Sequence, residues 1–227
     1  MSTSTIAGTN LATFVLEDVL GLFGASVQRS VPLIITGRGH GSGIVWDPDD
    51  LVITNHHVVP GDGATVVLAG QRMAATVVGR DPRYDLAALQ IDRAGIATLG
   101  EPLVPLKPRR APPRAGQLAI AAGHPRDERD TLTIGVITAT DHSPAPGAGE
   151  RPWLVQTDVR LRPGHSGGPL LDSVGAVIGV NTLVRGSLSL AIPVDLVNAF
   201  VAAVRRGHHP PHLGDGASRD DDRVTWL

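Results

Sequence analysis

The sequence predicts an all-β fold on two observations. Val, Ile and Thr gather in short runs bounded by turn residues, the pattern of strands joined by tight turns. Aromatic residues make up only 3% of the 227, against 27 Gly and 18 Pro, a balance that suits short strands better than long helices. With 42% hydrophobic residues the chain can bury about 70% of its unfolded surface, so a full core is expected.

The elements follow in order. Residues 1–25 form an N-terminal extension, in which 10–25 read as a short helix, started by Asn10, that packs on the body or on a partner subunit. The apolar stretch Leu11 to Ala25 is broken by Glu17 and Asp18, the first basic residue is Arg29, and the run is too short to span a membrane. With no signal peptide recognised, a cytoplasmic location is favoured over a secreted one. From Ser26 to Ala97 strands are expected over 31–36, 43–46, 51–54, 64–69, 73–79 and 86–91, with Asp47-Pro48-Asp49-Asp50 and Pro60-Gly61-Asp62-Gly63 as turns. Gly37 to Gly43 has neither the spacing nor the following helix of a phosphate loop and reads as a flexible lead into this first unit.

Pro102, Pro105, Pro108, Pro112 and Pro113 make 101–116 an extended crossover. A second set of strands is expected over 118–122, 131–139, 153–157, 170–172, 176–181 and 187–192. Leu196, Val197, Phe200, Val201 and Val204 then fall on one helical face, with Arg205 and Arg206 in the last turn and Gly207 after it, which predicts a helix over 194–206. Residues 207–227 are polar and rich in Gly, Asp and His, and are expected to be disordered. Within them Thr225-Trp226-Leu227 resembles a class I PDZ ligand, which would dock by strand addition to such a domain, with plain disorder the preferred reading. His208, His209 and His212 read as a solvated tail, not as a metal site.

Charge and cysteine content remove several functions. Twenty basic and 22 acidic residues leave no basic excess for nucleic acid or an anionic membrane. With no cysteine, a disulfide framework, a thiolate zinc site and a cysteine nucleophile are all excluded. Neither a metal nor a cofactor is required by the chemistry that follows.

Three strand ends carry that chemistry, in chain order. Thr54-Asn55-His56-His57-Val58 offers an imidazole, Asp81-Pro82-Arg83-Tyr84-Asp85 a carboxylate, and Gly164-His165-Ser166-Gly167 a hydroxyl. A serine is a poor nucleophile unless a base takes its proton. A neutral histidine can be that base, and a carboxylate behind it fixes the tautomer and stabilises the imidazolium. Glycines beside the serine let backbone N–H groups approach a carbonyl oxygen, and the amides of Gly164 and Ser166 are the candidate oxyanion donors.

These segments, with Gln156-Thr157-Asp158, Pro163 to Leu170, Val177 to Thr182 and Ala191-Ile192-Pro193, resemble the HtrA-type (DegP-like) branch of the trypsin-like serine proteases, over about residues 27–206. The resemblance implies two six-stranded antiparallel β-barrels, the first over about 26–100 and the second, with the C-terminal helix, over 117–206, with the active site between them. It implies His57, not His56, as the base, with Asp85 and Ser166 completing the triad of a serine endopeptidase acting on proteins or peptides. It also implies a homo-oligomer built through the N-terminal segment. The alternative is a latent or inactive protease-fold module that binds peptides or partner proteins.

Some positions depart from the pattern. The family usually has Asn where this chain has His165 and His124, and the 21 residues after Arg206 are too few for the PDZ domain that often follows. Arg160 falls where such folds build the floor of the substrate pocket. Facing inward it would select acidic side chains; facing outward it would leave an apolar pocket formed by Leu161 and Leu188, the preferred reading because an unpaired buried charge is costly.

Overall fold

The computed structural model describes residues 19–125, 130–140, 154–207 and, for the backbone, 224–226. The expected helical residues 10–18, the start of the strand at Trp153 and the tail histidines lie outside these. Residues 19–28 are helical (α1), three residues past the expected end.

The first sheet contains β1 (Leu33–Thr36), β2 (Gly39–Ser42), β3 (Ile44–Val45), β4 (Leu51–Asn55), β5 (Gly63–Leu68), β6 (Gln71–Asp81) and β7 (Leu86–Ile91), in the spatial order β2-β1-β5-β6-β7-β4-β3. Every neighbouring pair is antiparallel. β2 and β3 are one strand bent at Gly43: its first part pairs β1 and its second pairs β4, which closes a six-stranded barrel. A Cβ at Gly43 would lie 2.7 Å from Val52 Cγ1 and 3.2 Å from Ile34 Cδ1, so the bend needs glycine. The expectation of a flexible lead over 37–43 is therefore corrected. Gly39–Ser42 is a strand, hairpin-paired to β1, because the glycines permit close packing as well as freedom.

The second sheet contains β8 (Leu118–Gly123), β9 (Thr131–Ala139), β10 (Val155–Thr157), β11 (Pro169–Leu171), β12 (Val177–Arg185) and β13 (Leu188–Pro193). β11 pairs both β8 and β12, closing a second six-stranded barrel. A further strand, β14 (Val224–Trp226), adds to β12 from within the tail expected to be disordered. A short helix α2 (Arg93–Ala97), capped by the Asp92 side chain accepting from Ala94 N–H, was not anticipated either.

Several strands read as nearly unbroken hydrophobic runs because each lies between two cores. Along β7, Ala87, Leu89 and Ile91 point into the first barrel, while Leu86 and Ala88 face the layer between the barrels. β8 alternates in the same way, Ala119 and Ala121 inward, Ile120 and Ala122 outward. The helix α3 (Val194–Arg205) closes that middle layer with Val194, Val197, Phe200 and Val201, each burial stabilising by about 1.5–3 kcal/mol. Arg205 in its last turn pairs with Asp47 of the first barrel at 3.0 Å. The crossover is pinned as well as extended: Leu106 N–H donates to Val45 O at 3.1 Å, and Arg109 N–H to Val177 O at 2.8 Å. The two barrels thus share one apolar layer, which fixes the loops that meet at their junction. No helix among the described residues is long and apolar enough to cross a membrane.

Candidate active site

β4 ends at Asn55 and delivers His56 and His57 to the junction, where the backbone locks onto the Asp81–Asp85 turn. His56 N–H and the Asn55 side-chain amide both donate to Asp85 O at 3.0 Å. Asp85 itself has φ 53°, a left-handed conformation that Asp tolerates better than most residues. Asp81 supports the turn from behind, its carboxylate held by Arg83 through Nε at 3.0 Å and Nη2 at 2.8 Å.

The Asp85 carboxylate is buried and receives three donors. His57 N–H reaches Oδ1 at 3.0 Å, while His57 Nδ1 at 2.8 Å and Thr182 Oγ1 at 2.7 Å both reach Oδ2. A carboxylate only accepts, so Nδ1 carries the proton and Nε2 presents its lone pair. That lone pair faces Ser166 Oγ at 3.0 Å. The same serine hydroxyl lies 3.3 Å from Thr182 O. His56 is directed elsewhere: its Nδ1 accepts from Arg80 Nη1 at 3.2 Å. Arg80 also donates to Val59 O and Gly61 O, holding the loop that follows His57. Burial lowers its affinity for its proton, with Asp62 partly restoring it.

The serine loop is shaped by two glycines and one hydroxyl. Gly164 has φ +106°, and a Cβ there would fall 2.5 Å from His124 O. Gly167 has φ +81°, and a Cβ would fall 2.2 Å from Ser42 O. Neither place admits a side chain. Ser42 joins the barrels: its Oγ donates to Gly164 O at 2.7 Å and accepts from His124 N–H at 2.9 Å, and its own N–H donates to Ser166 O at 2.8 Å.

The two histidines that depart from the family pattern now have a structural account. His165 is fully buried; its Nδ1 lies 3.1 Å from Arg162 O and 3.2 Å from Arg162 N, and its Nε2 lies 3.2 Å from Thr131 Oγ1. His124 Nε2 donates to Val31 O at 2.7 Å, tying the second barrel to the entry of the first. Each satisfies both ring nitrogens within the fold, His124 through Asp130 N–H at 3.3 Å.

Of the expected pocket residues, Arg160 is exposed, Leu161 is buried and Leu188 is half-buried. Ser189 Oγ braces this strand by donating to Val159 O at 2.6 Å. Ser166 is closed to solvent. Sequence reading missed Thr182, Ser42 and Asn55. Thr182 is 97 residues from Asp85 and Ser42 is 122 from Gly164, so no local spacing signals either contact.

Residues 41–180 match the family described as "Trypsin-like peptidase domain". The chain is 38% identical over 178 residues to Protease Do-like 1, chloroplastic, of Arabidopsis thaliana, covering 72% of this chain and 39% of that protein. It is 37% identical over 149 residues to serine endoprotease DegS of Escherichia coli, covering 64% of this chain and 40% of that one. Among solved structures it is similar to the HtrA-type protease AlgW with tripeptide, with a TM-score of 0.70, 30% identity, and coverage of 81% of this chain and 63% of that chain. The chain spans about two fifths of the length of these two curated relatives.

Proposed function

The chain belongs to the trypsin-like peptidase family and to its HtrA type, and on that premise we propose that it is a serine endopeptidase using Ser166, His57 and Asp85. One observation carries the proposal: a single imidazole lies 2.8 Å from a buried carboxylate on one side and 3.0 Å from a serine hydroxyl on the other. In the mechanism this supports, Ser166 Oγ attacks a peptide carbonyl while its proton passes to His57 Nε2. Asp85 holds the ring and stabilises the imidazolium as it forms. The Gly164 and Ser166 amides receive the oxyanion, a contribution of roughly 3 kcal/mol for each well-placed donor. His57 returns the proton to the leaving amine, and water then hydrolyses the acyl-enzyme by the same route.

The exposed Arg160 and the apolar Leu161 and Leu188 support a pocket for small aliphatic side chains. A peptide library cut chiefly after Glu or Asp would overturn that pocket. The substrates are proteins or peptides, in line with the tripeptide in the AlgW structure. Assembly through the N-terminal segment is supported by Val19, Leu20 and Leu22 of α1, exposed by 54%, 42% and 72%.

The test of catalysis is labelling with a fluorophosphonate. Wild type should label and Ser166→Ala should not. If the wild type is unlabelled under every condition while still binding peptides, the reading as a protease-fold binding module replaces this one.

A further inference from the structure

β12 has β13 on one side from Gly179 to Arg185. The opposite side is shared by three partners in succession. β11 pairs with it from Val177 to Val180. The serine loop comes next, with Gly167 N–H donating to Asn181 O at 2.9 Å and Ser166 Oγ lying 3.3 Å from Thr182 O. Beyond Thr182 the edge passes to the chain's own tail, with Leu183 opposite Trp226, Val184 opposite Thr225 and Arg185 opposite Val224.

The direction of that pairing matters. The strands are antiparallel, so each step from Val224 to Trp226 moves one residue along β12 from Arg185 towards Thr182, and therefore towards Ser166. A peptide bound as an added strand would need this same edge and polarity to carry the carbonyl after its docked residues to the serine hydroxyl. Ser166 is meanwhile shut off from solvent. The geometry points to self-occupation: Val224–Trp226 is an intramolecular ligand of the strand-addition edge Leu183–Arg185, it competes with substrate for that edge, and the chain rests in a blocked state. The identification of the edge as the substrate's rests on the peptidase reading; the docking of the tail does not.

The expected effect is moderate. A tethered segment acts at an effective concentration of about a millimolar, so a tail with an intrinsic Kd of about 0.1 mM would fill its site in roughly nine chains of ten. Removing it should speed access about tenfold. Three proteins are compared: the full chain, a chain ending at Arg223, and Thr225→Pro, which keeps the tail but denies it a strand's backbone N–H. With a biotinylated dipeptidyl phosphonate, whose peptide part must lie along Leu183–Arg185, both altered chains should label about ten times faster than the full chain. Equal rates would overturn the inference.

A second measurement does not depend on catalysis. In the Ser166→Ala background, a fluorescent peptide of residues 222–227 should bind the chain ending at Arg223 at least tenfold more tightly than the full chain, read by anisotropy. Equal binding, or none, overturns tail docking. If no form labels yet the peptide still prefers the shortened chain, the docking stands and the peptidase reading falls. If both forms label equally and the peptide binds neither, the reverse holds.

Discussion

Thr182 offers the sharpest test of how the site is held. Its hydroxyl donates to Asp85 Oδ2 at 2.7 Å, the shortest of the three contacts to that carboxylate, and the residue is 2% exposed. Thr182→Val keeps the shape and deletes the donor. A buried hydrogen bond to a charged group is worth about 1.5–3 kcal/mol, so if that stabilisation supports the imidazolium in the transition state, kcat/KM should fall by about 10- to 100-fold. The loss should sit in kcat, with KM changed by less than about twofold, because uniform binding is untouched. Thr182→Ser restores the hydroxyl and should recover activity to within about threefold of wild type, which loss of packing alone would not predict. The assay is steady-state hydrolysis of a fluorogenic peptide by all three proteins. A Val variant within twofold of wild type, or a Ser variant as impaired as Val, would refute the assignment of Thr182 as the residue that positions Asp85.

Further expectations concern the serine loop, the junction and the assembly. Gly164→Ala places a Cβ 2.5 Å from His124 O in a left-handed backbone, so phosphonate labelling should drop by about 100-fold while circular dichroism stays native; normal labelling would mean the loop can relax. Asp47 accepts from Asp49, Asp50 and Leu51 N–H and from Arg205, and Asp47→Ala should cost about 1–2 kcal/mol, a figure reduced for its partial exposure. Burial pushes the Asp47 carboxyl up, but those four donors outweigh it and hold it below its ordinary value. A depressed folded pKa stabilises above the unfolded value of about 3.9 and ceases to as the pH falls through the lower folded one. The difference in Tm between wild type and Asp47→Ala should therefore be constant from neutral pH to about 5 and shrink below about 4; a gap undiminished at about pH 2.5 would contradict this. Light scattering on a chain lacking residues 1–25 should show a smaller assembly than the full chain, and an unchanged size would remove the N-terminal segment from the interface.

Much of the architecture was legible because strand composition and turn chemistry are local. The runs at Leu51–Asn55, Leu86–Ile91 and Leu118–Gly123 are hydrophobic at successive positions, and each proves to lie between two cores. The misreadings share one cause, tertiary context overriding composition. Gly39–Ser42 looked loose for its glycines, yet Gly41 is needed where Val58 and Ser166 O crowd the backbone. The tail looked disordered from its overall polarity; Val224, Thr225 and Trp226 suit a strand, but their partner β12 is distant in sequence, so no local signal shows that they pair. Arg160 could not be oriented from sequence, since an arginine at a strand end fits a pocket or a surface equally well.

The sequence by itself determined the side chains able to do the chemistry, their order along the chain and the β character of what carries them, because propensity and patterning act over a few residues. The family resemblance already pointed to His57 over His56; only the tertiary structure decided that its ring lies between Asp85 and Ser166, that Thr182 and Ser42 bond to Asp85 and Gly164, and that the tail lies on β12. Each of those contacts joins residues from about 28 to 122 apart. His57 meets Asp85 once the first barrel closes, and the tail needs β12 of the second. The contacts of His57 with Ser166, Thr182 with Asp85 and Ser42 with Gly164 exist only once the two barrels have met across one shared apolar layer.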